Sequence, residues 1–349
     1  MISRSNNFDF LRLIFASLVV ITHSYPLSGA AEADFLSQLT QGQMMFSSIG
    51  VHGFFIISGY LIFKSLLRCK GLADFYWKRV LRLFPALLIV LILTVLLAPF
   101  VYESSLPYLK NNSIYTYIPK NLTLFFRQRG IDGVFENNPY KSSINGSLWT
   151  ICYEFSMYVM VSLLFFVRTK PFINIIVVLL FISSYILSVF YPDFLYGVFI
   201  KMELVSSSFY NLMCFFTGGM LLTYWKIKSK KTENIIIIFS LIILIASIYL
   251  QVFKYTCYFT LPILVILIGN RSTQYINKVG TVIGDTSYGI YIYSFPIQQT
   301  LVYFFKFDTV PLMIFSLILS LLLGYLSWHL VEKRALKYKD LVSKKAIPL

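Results

Sequence analysis

Apolar residues along the chain come in long blocks that short polar segments separate. Each block is about 18 to 22 residues long, which is the length of a helix that crosses the hydrocarbon core of a bilayer. The pattern predicts an all-α fold, a polytopic transmembrane bundle of about ten helices. The predicted spans are 8–27, 47–66, 82–101, 147–167, 172–190, 204–225, 234–250, 254–269, 284–305 and 309–331.

Composition agrees with a membrane protein that has no sizeable soluble domain. Of the 349 residues, 57% are apolar and 13% are charged, whereas a soluble domain has about 25% charged residues. The net charge of +15 comes from Lys and Arg in the connections, so membrane topology explains it and we predict no nucleic-acid partner. The four cysteines form no CxxC pair, and we predict buried thiols and no metal site.

The distribution of basic residues predicts the orientation, because cytoplasmic loops are enriched in Lys and Arg. With the N-terminus inside, the inner segments hold 21 basic residues, among them Arg4, Lys226 and Lys228, and the outer segments hold eight. Both termini are therefore predicted to be cytoplasmic.

We expect one transmembrane unit over 1–349, with a core at about 8–333. The connection 102–146 is then a long extracytoplasmic loop, and 334–349 is a basic cytoplasmic tail beside membrane lipid. A loop of this length is often functional. It could be a lid, an acceptor-binding surface or a plain exposed loop.

The first span contains an arginine and a histidine eleven residues apart, Arg12 and His23. Eleven residues make three turns plus roughly 20°, so the two side chains share a helix face about 16 Å apart along the axis. Asp9 can pair with Arg12 one turn away. Because polar groups are costly in lipid, this face is expected to point into the bundle or a wet cavity. The alternative is that Arg12 snorkels to the inner surface and His23 lies at the outer interface.

Other spans carry polar residues at positions that lipid would not favour. His52 is predicted at the depth of His23, and Glu154 at roughly 10 Å below the outer surface. Ser287 and Tyr288 open the ninth span near its inner end. An intramembrane carboxylate is a functional candidate by default. The glycines around His52 could instead serve close helix packing alone.

Three cations, Lys78, Arg79 and Arg82, are predicted at the cytoplasmic mouth of the third span. Anchoring by the positive-inside rule explains their charge. Their clustering at one helix end also suits phosphate groups.

Taken in order, these motifs resemble the acyltransferase-3 family of integral membrane O-acyltransferases, which modify bacterial surface glycans. The resemblance is carried by Arg12 and His23 with ten residues between them, "FFIISGYLI" (54–62), "KRVLRLFP" (78–85), "SLWTICYE" (147–154) and "GDTSYGIYIYSFP" (284–296). It extends over about residues 8–333, and the ten predicted helices agree with the family.

The resemblance implies an acyl donor, usually acetyl-CoA, that is bound from the cytoplasm, and a glycan hydroxyl as the extracytoplasmic acceptor. It places the enzyme in the bacterial cytoplasmic membrane. His23 would be the catalytic base or a transient acyl carrier, with Glu154 as a second catalytic residue. The donor-binding residues would be Arg12, Lys78, Arg79, Arg82, Ser287 and Tyr288, and the acceptor-binding residues His52, Ser147 and Trp149.

The chain departs from the family pattern at two positions. Ser294 stands where members often have His, and His52 stands where many have Asp. The main rival interpretation is a transporter or flippase, in which Arg12, His23, His52 and Glu154 would line a proton or substrate pathway.

Overall fold

A computed structural model describes residues 6–344 except 142, 226 and 228. The predicted anchors Arg4, Lys226 and Lys228, and residues 345–349 of the predicted tail, lie outside the described residues. The division of the chain into a core, a loop and a tail stays a prediction.

The described residues form α-helices joined by short connections. The first half contains α1 (Phe8–Leu27), α2 (Phe35–Leu39), α3 (Phe46–Arg68), α4 (Leu72–Leu97), α5 (Asn112–Leu122), α6 (Trp149–Ser162) and α7 (Ile173–Phe190). The second half contains α8 (Tyr196–Phe199), α9 (Ser206–Leu221), α10 (Lys230–Tyr249), α11 (Phe253–Asn270), α12 (Val279–Val282), α13 (Ser287–Phe305), α14 (Thr309–Ser327), α15 (Lys333–Ala335) and α16 (Leu341–Lys344).

Each predicted span overlaps a helix, and the prediction of an all-α, multi-pass bundle is confirmed. Within the described residues, eight helical stretches are long and apolar enough to cross a membrane. A ninth is counted if Tyr196–Met202 and Ser206–Tyr224, which meet at a 90° bend, form one broken span.

Helix α13 is too polar to be among these stretches, and protein encloses it. Ser294, Gln298 and Gln299 on this helix are fully buried. The Gln298 amide donates to the Val20 carbonyl at 2.9 Å and to the Ser24 hydroxyl at 2.8 Å, both on α1. Buried polar groups are tolerated when they are hydrogen-bonded in this way, so α13 is held by its neighbours and not by lipid.

The predicted start of the third span was wrong. Helix α4 begins at Leu72, ten residues before the predicted start at 82. The charged residues do not end the helix, because Asp74 and Lys78 pair at 2.8 Å with i,i+4 spacing, which supports a helix. The three cations therefore lie within the second and third turns of α4 and not at its first residues. They are Lys78, Arg79 and Arg82.

The predicted outer loop is more ordered than its composition suggested. It contains the eleven-residue helix α5, whose N-cap Asn111 accepts a hydrogen bond from the Ser113 amide at 3.0 Å. The loop also docks on α13, since the Asn138 amide donates to the Gln299 side chain at 2.7 Å. The loop therefore covers one end of the bundle, which we call the loop end. The opposite end, where α3 ends and α4 begins, is called the basic end.

Helices α3 and α9 cross in close contact at two glycines. A Cβ atom on Gly59 would collide with the Phe216 backbone, and one on Gly219 would collide with the carbonyl of Ile56. Small residues at such crossings let helix backbones approach each other closely in membranes. This crossing holds α3, the helix that carries His52, against α9.

We expect Gly219→Ala to lower the unfolding temperature in detergent, since a methyl group forced against backbone costs about 1–3 kcal/mol. Gly197→Ala is the matched control, because a Cβ there meets nothing within 4 Å. Equal unfolding temperatures for the two variants would show that the crossing tolerates the extra atom.

Candidate active site

A cavity of about 660 Å³ lies at the basic end. Its volume falls within the range of about 300–1,000 Å³ that is usual for small-molecule and cofactor sites. Among the described residues, seven cationic side chains and two carboxylates line it. The cations are Arg12, Lys64, Arg68, Lys78, Arg79, Arg82 and Lys339, and the carboxylates are Glu154 and Asp340. We call this space the basic cavity.

A second cavity of about 350 Å³ contains both predicted intramembrane histidines, His23 and His52. The His52 ring stacks on Phe215 with centroids 3.9 Å apart, and His23 meets Phe295 edge to face at 5.3 Å. The other lining residues carry hydroxyls, an amide, an indole, aliphatic groups and one carboxylate. They are Val19, Glu32, Ser47, Ser48, Val51, Trp149, Ser207, Ser208, Asn211, Leu212 and Tyr291. We call this space the histidine cavity.

Val51 and Tyr291 line both cavities. The two spaces are thus separated at this point by the side chains that they share. Arg12 lines the basic cavity and His23 lines the histidine cavity, so the shared face of α1 points into the bundle. Neither residue points to the lipid side.

A chain of ion pairs joins four helices beside the basic cavity. Asp285 lies just before α13. One of its carboxylate oxygens is 3.1 Å from a guanidinium nitrogen of Arg12 and 2.8 Å from one of Arg82. Arg82 also contacts Glu332 at 3.3 Å, beyond the end of α14. Asp9 lies 3.8 Å from Arg12, which confirms the pairing expected from their spacing.

The three predicted phosphate ligands on α4 differ in what they already contact. Lys78 pairs with Asp74, and Arg82 is engaged by two carboxylates. Arg79 is 8% exposed, donates to the Ser65 hydroxyl at 3.0 Å and lies over the Phe75 ring at 5.0 Å. Among the described residues Arg79 has no carboxylate within ion-pair distance, so its charge is available to a ligand.

The two predicted catalytic residues lie in different cavities. Glu154 lines the basic cavity and not the histidine cavity. Its carboxylate accepts hydrogen bonds from Ser58, at 3.0 Å, and from Tyr158. The predicted depth of Glu154 below the outer surface stays a prediction.

Ser287 and Tyr288 line the basic cavity, as donor binding would require. The Ser287 hydroxyl donates to Asp285 at 2.8 Å, and the Tyr288 hydroxyl donates to the Leu83 carbonyl at 3.0 Å. Trp149 lines the histidine cavity. Ser147 is fully buried and lines neither cavity, so the structure does not bring it to the predicted acceptor site.

A family model described as "Acyltransferase domain" matches residues 5–329, nearly the whole chain. The chain belongs to the acyltransferase-3 family. This membership confirms the predicted enzyme class, and it favours acyl transfer over the transport interpretation.

Two curated proteins are similar to this acyltransferase. An "O-acetyl transferase" of Shigella phage Sf6 is 32% identical over 344 residues, which cover 95% of this chain and 96% of the phage protein. A "Nodulation protein 10" of Rhizobium leguminosarum bv. viciae is 40% identical over 91 residues, which cover 24% of this chain and 22% of that protein. No solved structure matches the chain.

Sequence reasoning missed several residues that line the acyltransferase's cavities. Lys64 donates to the Tyr60 hydroxyl, which donates to Asn270 at 3.0 Å, and all three line the basic cavity. The i,i+4 spacing of Tyr60 and Lys64 was a usable signal. Lys339, assigned only to a basic tail, also lines this cavity. Within the described residues, no group of three or more potential ligands could hold a metal ion.

We expect Arg82→Ala to destabilise the acyltransferase by about 3 kcal/mol, because Glu332 would remain buried without its cation. Thermal unfolding in detergent measures the change. Arg79→Ala is the control and should have a smaller effect, since no carboxylate loses a partner. Glu332→Gln added to Arg82→Ala should recover part of the loss. Wild-type stability of Arg82→Ala would contradict the structural role given to these ion pairs.

Proposed function

We propose that this acyltransferase moves an acetyl group from acetyl-CoA in the cytoplasm to a hydroxyl group of a glycan on the other side of the bacterial cytoplasmic membrane. The observation that carries the proposal is the pair of cavities, one cationic and one containing His23, that meet at Val51 and Tyr291. A donor that cannot cross the membrane and an acceptor outside it need such an arrangement.

The basic cavity is the proposed donor site. Coenzyme A carries several phosphate charges, and guanidinium groups bind phosphate in a bidentate manner. Arg79 is the ligand that we favour, because it is buried and has no carboxylate partner among the described residues. Lys64, Arg68 and Lys339 add positive charge at the cavity lining.

The orientation follows from the donor and from the basic residues. Acetyl-CoA is made in the cytoplasm, and Lys and Arg are enriched on the cytoplasmic side of membrane proteins. We therefore assign the basic end, and both chain termini, to the cytoplasm. The loop end then faces outward, and the acceptor glycan enters the histidine cavity from that side.

The histidine cavity is the proposed acceptor site. His23 is half-buried there, and its Nδ1 atom has no hydrogen-bond partner among the described residues. The serine hydroxyls, the Asn211 amide and the His52 imidazole around it suit a sugar. The name of the phage relative, an O-acetyl transferase, supports both the acetyl group and an oxygen acceptor.

The chemical step needs one proton acceptor, and we assign it to His23. The acceptor hydroxyl gives its proton to the imidazole while its oxygen bonds to the thioester carbonyl carbon. The carbon–sulfur bond then breaks, and the leaving thiolate takes the proton from the imidazolium. Histidine suits this exchange because its ordinary pKa is near neutral.

Glu154 is assigned to the donor site and not to proton transfer with His23. Its hydrogen bond from Ser58 joins α3 to α6, and its hydrogen bond from Tyr158 lies within α6. Tyr158 in turn lies under the Arg79 guanidinium, 5.8 Å from ring centroid to carbon. Glu154 is therefore a positioning residue for the wall that holds Arg79.

We expect acetyl-CoA to raise the unfolding temperature of the purified protein, since a ligand at about 100 times its Kd stabilises by about 2.7 kcal/mol. Arg79→Ala should lose most of this shift. Arg168→Ala is the matched control, because Arg168 lines neither cavity. A transporter that does not bind acyl-CoA would show no shift in any of the three proteins.

We expect His23→Ala to abolish acetylation while the protein remains folded and abundant. The measurement is the mass of the host's surface glycan, compared between cells with wild-type protein and cells with the variant, where one acetyl group is the expected difference. His329→Ala is the control, because His329 lies beyond α14 and outside both cavities. An acetylated glycan with His23→Ala would remove His23 from the mechanism. An acyl-histidine trapped without acceptor would replace the base role with a carrier role.

A further inference from the structure

The wall between the two cavities includes two side chains that border both of them. Val51 is 8% exposed and Tyr291 is 6% exposed, and each borders both spaces. The Tyr291 hydroxyl is hydrogen-bonded to the Thr150 hydroxyl at 2.8 Å. The Tyr291 ring also meets Phe54 edge to face at 5.9 Å. One polar contact and one ring contact thus fix the position of Tyr291.

Two of the helices line the basic cavity on one side of the wall and reach the histidine cavity on the other. On α13, Tyr288 lines the basic cavity, Tyr291 borders both, and Phe295 contacts His23. On α3, Ser58 lines the basic cavity and Ser48 the histidine cavity, with Val51 between them.

A third helix, α6, also lines one cavity on each side of the wall. Glu154 and Thr150 line the basic cavity, and Trp149 lines the histidine cavity. Three helices therefore mark one level in the bundle at which the basic cavity ends and the histidine cavity begins.

We propose that Val51 and Tyr291 form a gate through which the acyl group passes to His23, and that this gate selects the acyl group by size. The inference rests on the proposed function, because it requires a donor in the basic cavity and a reaction at His23. An acetyl group adds only one methyl beyond the thioester carbonyl, whereas a butyryl group must place two more carbons between these side chains.

The side chains at the gate explain why short groups would be favoured. Val51 is branched at Cβ and has little rotamer freedom in a helix. Tyr291 can move away only by giving up its bond to Thr150. The gate is therefore stiff on the α3 side and held by one hydrogen bond on the α13 side.

The test compares acetyl-CoA with butyryl-CoA as labelled donors, in membranes of the native host whose own copy of the gene is replaced by each variant. Label in the glycan gives the ratio of butyryl to acetyl transfer. We expect Val51→Ala to raise this ratio by about tenfold or more, since one methylene group changes the discrimination of a hydrophobic pocket by about 10- to 200-fold. We expect Val51→Leu to lower it.

The matched control is Val177→Ala, the same change in α7, which contributes no residue to either cavity. It should keep the wild-type ratio. Tyr291→Phe and Thr150→Val should each raise the ratio by a smaller factor. Their double variant should match the singles, because all three lose the same hydrogen bond.

The outcomes separate the two proposals. If the wild-type protein transfers no acyl group from either donor, the proposed function and the gate both fail. If it transfers acetyl but Val51→Ala keeps the wild-type ratio while remaining folded, the gate alone fails. A raised ratio in Val177→Ala as large as in Val51→Ala would also overturn the gate.

Discussion

The site depends on one carboxylate, Asp285, and on the two arginines that share it. Arg12 from α1 and Arg82 from α4 approach the same oxygen of Asp285, while Ser287 donates to the other. Unpaired charges at this depth would be costly, and pairing makes the geometry obligatory. Because Asp285 immediately precedes α13, these contacts fix the start of the helix that later contributes Tyr291 to the wall and Phe295 to His23.

The ion pairs also distinguish cations that look alike in sequence, because some of them already have carboxylate partners and others do not. Arg79 and Arg82 have the spacing of one motif, yet Arg82 faces Asp285 and Glu332 whereas Arg79 faces Ser65 and aromatic rings. A cation that is already neutralised contributes stability. One that is buried beside a neutral hydroxyl retains its attraction for an anion. Glu154 likewise lies apart from His23, because hydrogen bonds from Ser58 and Tyr158 hold its carboxylate at the basic cavity.

Hydrophobic blocks were sufficient to predict the helices, because lipid permits few alternatives to a helix of that length. The i,i+3 pair of Asp9 and Arg12, and the inward face of Arg12 and His23, also followed from helical geometry. The partners that are distant in sequence could not be predicted in this way. Asp285 and Glu332 are far from Arg82 in sequence, and only packing brings them together. The start of α4 was missed for a related reason, since charges taken as a boundary pair along the helix and extend it.

The polar character of α13 has a consequence for how the protein is made. A segment containing Ser294, Gln298 and Gln299 gains little from contact with lipid, so it is retained in the bilayer by neighbours that accept its hydrogen bonds. The Val20 carbonyl on α1 is one such acceptor, and α1 is synthesised long before α13 emerges. During biogenesis α1 is therefore in place before its partners on α13 exist. Arg12 gains its contact with Asp285 only after residue 285 has been translated. Closure of the bundle is thus a late event in assembly.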